Sequence, residues 1–561
     1  MKKKPLRFTL FVFLFLGLTV SGILFFYYKG DRNSYLNTAI NNFSKNNPQL
    51  SINLKKATKA LDVLYIFHQL IPSDIPTYTL TIKGNDLLRL NTNLPENDRL
   101  TAEYKKYIPA QFSYQGKTWN VKVRYRGDNP NHWRFSKKSW RVKFKNYFEG
   151  QEAINLILPE DRYFFIEPWI SRMGKKLGLV TPEFSLVNLV VNGQSGAYLK
   201  SEQWGEAFLK NHGLSEKADL YGEAEFDKPV SNLYTDVSNF KKYTFNPDNP
   251  QDDFSNLQAL LDLINHTSDQ EFFDQLPQLV DIDNFLLWQA QSALGFSHSQ
   301  KRSHNLVTYF NPDINKFQFI PWNVSMADIH PDNPDYDYNP LMTRVLFNPD
   351  YMFKRNLILW QYISNQDNLI DDLDYYDQLY QSSRGDFYRD SQKIFPNLDF
   401  DLRVRKYRKR IVAAQQKIKQ LLNDARAQIK IEQNFQLESS VLAYLVIESQ
   451  GFSSLQIKKI SLDLDKTANL SLIKDTNQNQ RLDVNDQNLG SFNLLRNNHY
   501  FLEPDHILIH TQRELGLPQQ PFQLKPTQQG FFITASNFNQ ATNIQTELIN
   551  AITQEPIQID K

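Results

Sequence analysis

The first apolar block is Phe8 to Tyr28, 21 residues without a charge. At about 1.5 Å of helical rise per residue it spans a bilayer core of roughly 30 Å. Residues 29–76 are polar, with helical spacing only around Tyr35–Phe43 and Leu61–Leu70, and read as a stalk. From 77 to 200 apolar residues recur at every second position. YTLTI (78–82), QFSYQ (111–115), VKVRYR (121–126), WRVKFK (140–145) and FSLVNLVV (184–191) predict strands. Asn192-Gly193 predicts a tight hairpin after the last of these. Trp169–Leu177 predicts a short helix on the way to it.

From about 254 to 295 the spacing turns helical, in LQALLDLI, EFFDQL and IDNFLLWQAQSAL. Strand-like pieces return in NLVTYF (305–310) and KFQFIP (316–321), with Asn311-Pro312-Asp313 as the turn between them. Residues 326–350 form an acid- and proline-rich loop, and helices dominate from 351 to 430. The last helix, predicted over Leu402–Ile429, carries Val404, Ile411, Ile418 and Leu422 near one face. Beyond it, VLAYLVIE, IKKISLDL, ANLSLI and GFFITAS predict an all-β, sandwich-like unit. The expected organisation is a basic tail (1–7), a transmembrane segment (8–28), a stalk (29–76), an α+β unit (77–430) and the β unit (431–561).

Charge changes this picture at two places. The tail MKKKPLR puts four cations before the apolar block, which holds the N-terminus in the cytoplasm and sends the bulk of the chain outside, to a periplasm or cell surface. A cleaved signal peptide is the rival reading. Its apolar region is normally shorter and ends in a small-x-small site, of which Val20-Ser21-Gly22 is a poor version, so an uncleaved anchor and a membrane partner are expected. The chain as a whole balances 63 bases against 61 acids, which does not favour nucleic acid as a partner. It has no cysteine, which excludes disulfides, thiolate metal sites and cysteine nucleophiles.

The second place is VKVRYRGDNPNHWRFSKKSWRVKFKN (121–146), with nine Lys or Arg, one His and one acid. On strands, Lys122, Arg124 and Arg126 share one face, as do Arg141, Lys143 and Lys145. Like charges on paired strands repel. Either an anion relieves them, phosphate being suited to arginine forks, or they keep a solvent-washed edge from aggregating.

Several segments together carry a resemblance. The RG at 126–127 and KKSWRVKF (137–144) are followed by VVNGQSGAYLKSEQ (190–203), LVDIDNFLLWQA (279–290), SHNLVTYF (303–310) and FIPWNVSMA (319–327). In that order they resemble the motifs of the CotH kinase family, the spore-coat-protein-H-like atypical kinases, over roughly 77–425. The resemblance implies a two-lobed, kinase-like α+β domain that binds ATP with Mg²⁺ and phosphorylates proteins. By position it implies Arg126, Lys138 and Lys143 near the phosphates. It puts Glu202 near the lobe junction, pairing a cation or orienting the nucleotide, and Asn305 at the start of the strand leading to the metal site. The family's WD-x-D metal motif reads Trp322-Asn323-Val324-Ser325 here, so both carboxylates are absent. The acid expected before the Asn305 strand is absent too, from Gly295-Phe296-Ser297-His298-Ser299-Gln300. Phosphoryl transfer depends on such metal ligands and on a base. Substitutes would be Asn323 through its carbonyl, Asp328, Asp332, Asp335 or Asp337 nearby, and His298 or His304 as base.

A separate stretch, DTNQNQRLDVND (475–486), has calcium-loop spacing. Asp475, Asn477, Asn479, the Arg481 carbonyl, Asp483 and Asp486 fall at positions 1, 3, 5, 7, 9 and 12, with Gln480 instead of Gly at position 6. The expectation is thus a membrane-anchored, extracytoplasmic CotH-like protein. Its kinase-like module is impaired and binds a phosphorylated or anionic ligand, an envelope protein or an anionic polymer, in envelope or surface-layer assembly. The alternatives are an active protein kinase with relocated metal ligands, and a structural envelope tether.

Overall fold

This computed structural model describes residues 59–560, apart from 96–98, 225–229, 246–249, 298, 325, 327–334, 336–338, 434–439, 515–521, 537–539 and 558. The basic tail, the predicted anchor and the first part of the predicted stalk lie outside the described residues. Among the described residues no helix is long and apolar enough to cross a membrane.

The period-two segments build a closed barrel. Its strands are β1 (Thr77–Thr81), β2 (Ile108–Tyr114), β3 (Lys117–Tyr125), β4 (Trp140–Phe148), β5 (Gln151–Ile157), β6 (Phe184–Val191) and β7 (Gln194–Glu202). They follow the order β1-β2-β3-β4-β5-β7-β6, and β1 pairs parallel with β6 to close the ring. The two basic segments are neighbours, with Lys122 opposite Lys143 and Arg124 opposite Arg141. Val121, Val123 and Tyr125 pack inward with Trp140, Val142 and Phe144, so alternation sends the cations outward. Asn192 (φ 46°) and Gly193 (φ 85°) turn β6 into β7, and a two-residue loop of this kind needs positive φ at both positions.

The second lobe holds a four-stranded sheet ordered β11-β10-β8-β9, from β8 (Asp219–Glu223), β9 (Phe240–Lys242), β10 (Val307–Asn311) and β11 (Lys316–Phe319). Helices Ser255–His266, Asp269–Leu279, Ile282–Leu294, Pro349–Ser364, Gln366–Arg389 and Asn397–Asn423 surround a core that includes Trp169, Trp288, Phe319 and Phe400. The lobes are tied by Lys137. It is fully buried, and its ammonium reaches Asp390 Oδ2 and the Ala197 carbonyl, each at 2.6 Å.

The described part of the predicted stalk is a strap on this lobe. Lys59 donates to the carbonyls of Ser391 (2.6 Å) and Lys393 (3.0 Å), the Asn397 amide donates to Asp62 (2.6 Å), and the Tyr65 hydroxyl donates to Asp401 (2.8 Å). Arg389 returns donors to the carbonyls of Gln69 and Ile71. The strap is held mainly by these polar contacts, and Val63, Leu64, Ile66, Phe67 and Leu70, which carry the helical spacing, stay exposed.

The C-terminal strands form a six-stranded and a five-stranded sheet over a core of Leu445, Ile457, Ile460, Leu472, Phe531 and Ile533. This unit is seated on the helical lobe. Phe452 and Ile552 join the lobe's core, and Ser453 Oγ and Asn550 Nδ2 both donate to the Leu422 carbonyl at 2.7 Å, satisfying a helix C-terminus. Asp335, offered above as a substitute metal ligand, sits in this contact. Its two oxygens meet Arg355 at 2.7 Å each, and Oδ2 meets Arg513 at 2.6 Å. Burial alone would raise its carboxyl, but Arg355 and Arg513 outweigh that and hold it well below the usual range. It is committed to joining the units and is not available to a metal.

The calcium expectation is corrected as well. Residues 475–486 link antiparallel strands Leu470–Lys474 and Gln487–Ser491. Buried Asp475 accepts from the Tyr444 hydroxyl (2.7 Å) and from the amides of Asn479 and Gln480. Asp483 accepts from the Asn477 and Asn479 side chains, and Asp486 from the amides of Thr476 and Asp483. These side chains close a turn on themselves, the ordinary use of Asx residues. Among the described residues no group of three or more His, Cys, Asp or Glu could hold a metal ion.

Candidate anion-binding cleft

Between the barrel and the second lobe lies a cleft of about 630 Å³. The outward face of β3 and β4 lines one wall through Arg124 and Arg141, and the turn after β3 adds Arg126. The opposite wall comes from Asn305, just before β10, and from Trp322 and Asn323, just after β11. Among the described lining residues, seven are Lys or Arg and two, Asp128 and Glu223, are acids. Asp128 is already engaged by Arg99 and Lys105, each at 2.9 Å. Glu223 takes the Asn305 amide and His304 Nδ1, the latter at 3.1 Å.

The RG turn has a local reason. Gly127 has φ +91°, and a Cβ there would fall 2.1 Å from the His132 ring. The ring must lie that close because it is held at both nitrogens, Nδ1 by Ser139 Oγ (2.9 Å) and Nε2 by Asp161 (3.1 Å). The Leu158 amide donates to the same Ser139 oxygen (3.1 Å), which leaves the hydroxyl hydrogen for Nδ1 and the Nε2 hydrogen for Asp161. Burial would raise the Asp161 carboxyl, but His132, Arg162 and Arg126 hold it well below the usual range. Gly127→Ala combines a left-handed backbone with that clash. It should cost about 2–4 kcal/mol of stability, measured by denaturant unfolding, and an unchanged midpoint would remove this account of the turn.

Arg126 is the unusual group. It is 9% exposed and lines the cleft, yet its guanidinium has no hydrogen bond or ion pair among the described residues. Burial, then Arg162 and Arg141, push its pKa down to about 9. A guanidinium keeps its proton in proteins, so this strain is carried as lost stability rather than as a lost charge. Arg162 is held only loosely, with Nε 3.4 Å from Asp161 and 3.3 Å from Glu167 and no hydrogen-bond partner on that nitrogen. Arg141 is oriented by Asn155 Oδ1 (2.9 Å) and Gln203 Oε1 (2.6 Å).

On the facing wall Asn305 (φ 67°) and Asn323 (φ 54°) both take left-handed backbone, which Asn tolerates better than most residues. Asn323 Nδ2 donates to Asn305 Oδ1 (3.0 Å), and Asn323 Oδ1 is buried without a partner. Trp204 packs edge-on against Tyr243 and Trp322, with ring centres 4.0 and 5.8 Å away, and its buried indole nitrogen is also unpartnered. Gly222 makes room for it, since a Cβ there would meet the indole at 2.4 Å.

The structure therefore brings Arg126, Asn305 and Asn323 together and leaves other sequence candidates elsewhere. Lys143 is exposed on β4 and does not line the cleft. Lys138 turns back on its own loop, donating to the carbonyls of Trp133 (2.5 Å) and Phe135 (2.9 Å), and burial pushes it down to about 8. Glu202 is buried away from the cleft, accepting from His212 (2.8 Å), Asn211 (3.3 Å) and the Glu183 amide (3.2 Å). His298, Ser325, Asp328, Asp332 and Asp337 lie outside the described residues. The sequence reading missed Arg162 and Trp204, which follow no periodic pattern. A magnesium ion does not fit the described donors. One neutral carbonyl, Asn323 Oδ1, is open, and both lining carboxylates are occupied.

Comparison with known proteins agrees with the motif order. Residues 123–366 match the family described as CotH kinase protein. The inner spore coat protein H of Bacillus subtilis (strain 168) is 26% identical over 298 residues, 49% of this chain and 77% of that one. The crystal structure of a Helicobacter pylori proinflammatory kinase, CtkA, aligns with 52% of this chain and 96% of its own, at 14% identity and a TM-score of 0.21. Arg126, Arg141, Arg162, Asn305 and Asn323 all fall inside the matched segment, so the cleft residues lie in the part of the chain that is similar to CotH kinase proteins.

Proposed function

We propose that this protein uses its family cleft to bind a phosphorylated or otherwise anionic ligand, with phosphoryl transfer impaired. The observation that carries the reading is Arg126, a buried guanidinium without a partner, facing a cavity beside two more arginines. Arginine forks match phosphate oxygens, and a ligand there would supply the direct ion pair that Asp161 and Glu167, acting from further off, do not. Impairment is supported by the amide at Asn323 and the committed carboxylates around it, since transfer needs charge neutralised on the moving group.

The anchor at 8–28 and a location outside the cytoplasm are part of the same proposal, supported by the basic tail and the uncharged run. A role in envelope or surface-layer assembly is supported by the relative's name, which places that protein in a spore coat. The full chain should remain in the membrane pellet after alkaline extraction, and release into the supernatant would remove the anchor.

The test of function is incubation of the purified full chain with labelled ATP and Mg²⁺ or Mn²⁺, beside thermal unfolding with ATP. The proposal expects stabilisation by ATP and no labelled protein. Metal-dependent transfer lost in Arg126→Met would instead make this an active kinase.

A further inference from the structure

We infer that the cleft takes a diphosphate or longer polyphosphate group in its metal-free form, with Arg126, Arg141 and Arg162 standing in for divalent cations. This rests on the reading of the cleft as an anion site and adds what that anion is and how it is carried.

The charge balance sets the class. Seven lining cations face two lining carboxylates, and Asp161 and Glu167 behind Arg162 offset two more, which still leaves a positive excess among these described residues. A single monoanion would leave most of it uncompensated, whereas a diphosphate or triphosphate carries several negative charges on adjacent groups. The volume of about 630 Å³ is within the range for small-molecule sites. Arg126 lines the cleft without an ion pair of its own, and Arg162 Nε is held only by the longer contacts to Asp161 and Glu167. Arg141 is positioned by Asn155 and Gln203.

The same balance sets the metal dependence. In metal-assisted phosphoryl transfer the ions bridge phosphate oxygens and are themselves held by protein carboxylates. Here Glu223 is occupied by His304 and the Asn305 amide, and Asp128 by Arg99 and Lys105. A magnesium ion arriving with the ligand would remove two negative charges from it. It would also bring a cation into a wall where Arg126 already feels repulsion from Arg162 and Arg141. Magnesium therefore competes with the arginines for the phosphates.

Isothermal titration of the full chain with inorganic pyrophosphate, in EDTA and then in excess Mg²⁺, tests this. Binding should be at least about tenfold tighter in EDTA. Arg126→Met should weaken binding about a hundredfold, while Lys122→Ala, which removes an exposed cation from β3, should leave it unchanged. ATP as a second probe separates the sources. Tighter binding of ATP than of pyrophosphate identifies a nucleotide, and equal affinities identify the phosphates alone. Tighter binding with Mg²⁺ overturns the inference and leaves the anion-binding proposal standing. No binding of either probe in either buffer overturns both.

Discussion

Arg126→Met should make the ligand-free protein more stable, by about 1–3 kcal/mol, and cut its affinity for pyrophosphate about a hundredfold. The two effects share one cause. A buried cation with no direct ion pair costs free energy in the empty protein, and for Arg126 burial and the neighbouring Arg162 and Arg141 outweigh the more distant attraction of Glu167 and Asp161. Methionine fills similar space without the charge. Sites built for binding often carry strain that only the ligand relieves. Chemical denaturation of parent and variant, with and without pyrophosphate, measures both halves. Destabilisation of the empty variant would mean that Arg126 has a structural partner and is not held open for a ligand.

Asp335→Ala should cost about 3–5 kcal/mol, because it strands two buried arginines at once. Arg355 is fully buried and Arg513 nearly so, and Asp335 answers both. Arg513→Ala should cost less, since Asp335 keeps its two-pronged contact with Arg355. The loss should concentrate at the contact between the β unit and the helical lobe, where Phe347 also meets Phe522 at 5.7 Å. Calorimetry should show one transition in the parent splitting into two in the variant. The pH dependence has a definite sign. The folded Asp335 carboxyl lies below its unfolded value of about 3.9, so its contribution is complete above that pH and lost as pH falls towards the folded value. The parent should weaken at this contact below about pH 4, and Asp335→Ala should lack that part of the acid sensitivity. A variant as stable as the parent would show that the contact is not held by charge.

Periodicity made much of the scaffold legible. Inward Val121, Val123 and Val142 dictated outward cations on β3 and β4, and Asn192-Gly193 marked the hairpin. Which of those cations meet the ligand was not legible. Arg141 and Lys143 share one face of one strand, yet Arg141 reaches the cleft and Lys143 points to solvent. That choice depends on where the second lobe sits, which no local pattern encodes. Lys137 illustrates the same limit. It reads as one more cation in KKSW, and only the fold shows it pinned to Asp390, 253 residues away. Asp335 likewise reads as loop acid, and its partner Arg513 lies 178 residues further on. The calcium spacing misled because Asx residues that close a turn on backbone amides share the spacing of those that hold an ion.

Phosphorus NMR of ATP with the purified full chain in Mg²⁺-containing buffer tests holding against transforming in one sample. The account predicts no ADP accumulating in Mg²⁺, and β- and γ-phosphate signals shifted and broadened by excess protein, more strongly once EDTA removes the Mg²⁺. Steady conversion of ATP to ADP that Arg126→Met abolishes would contradict it.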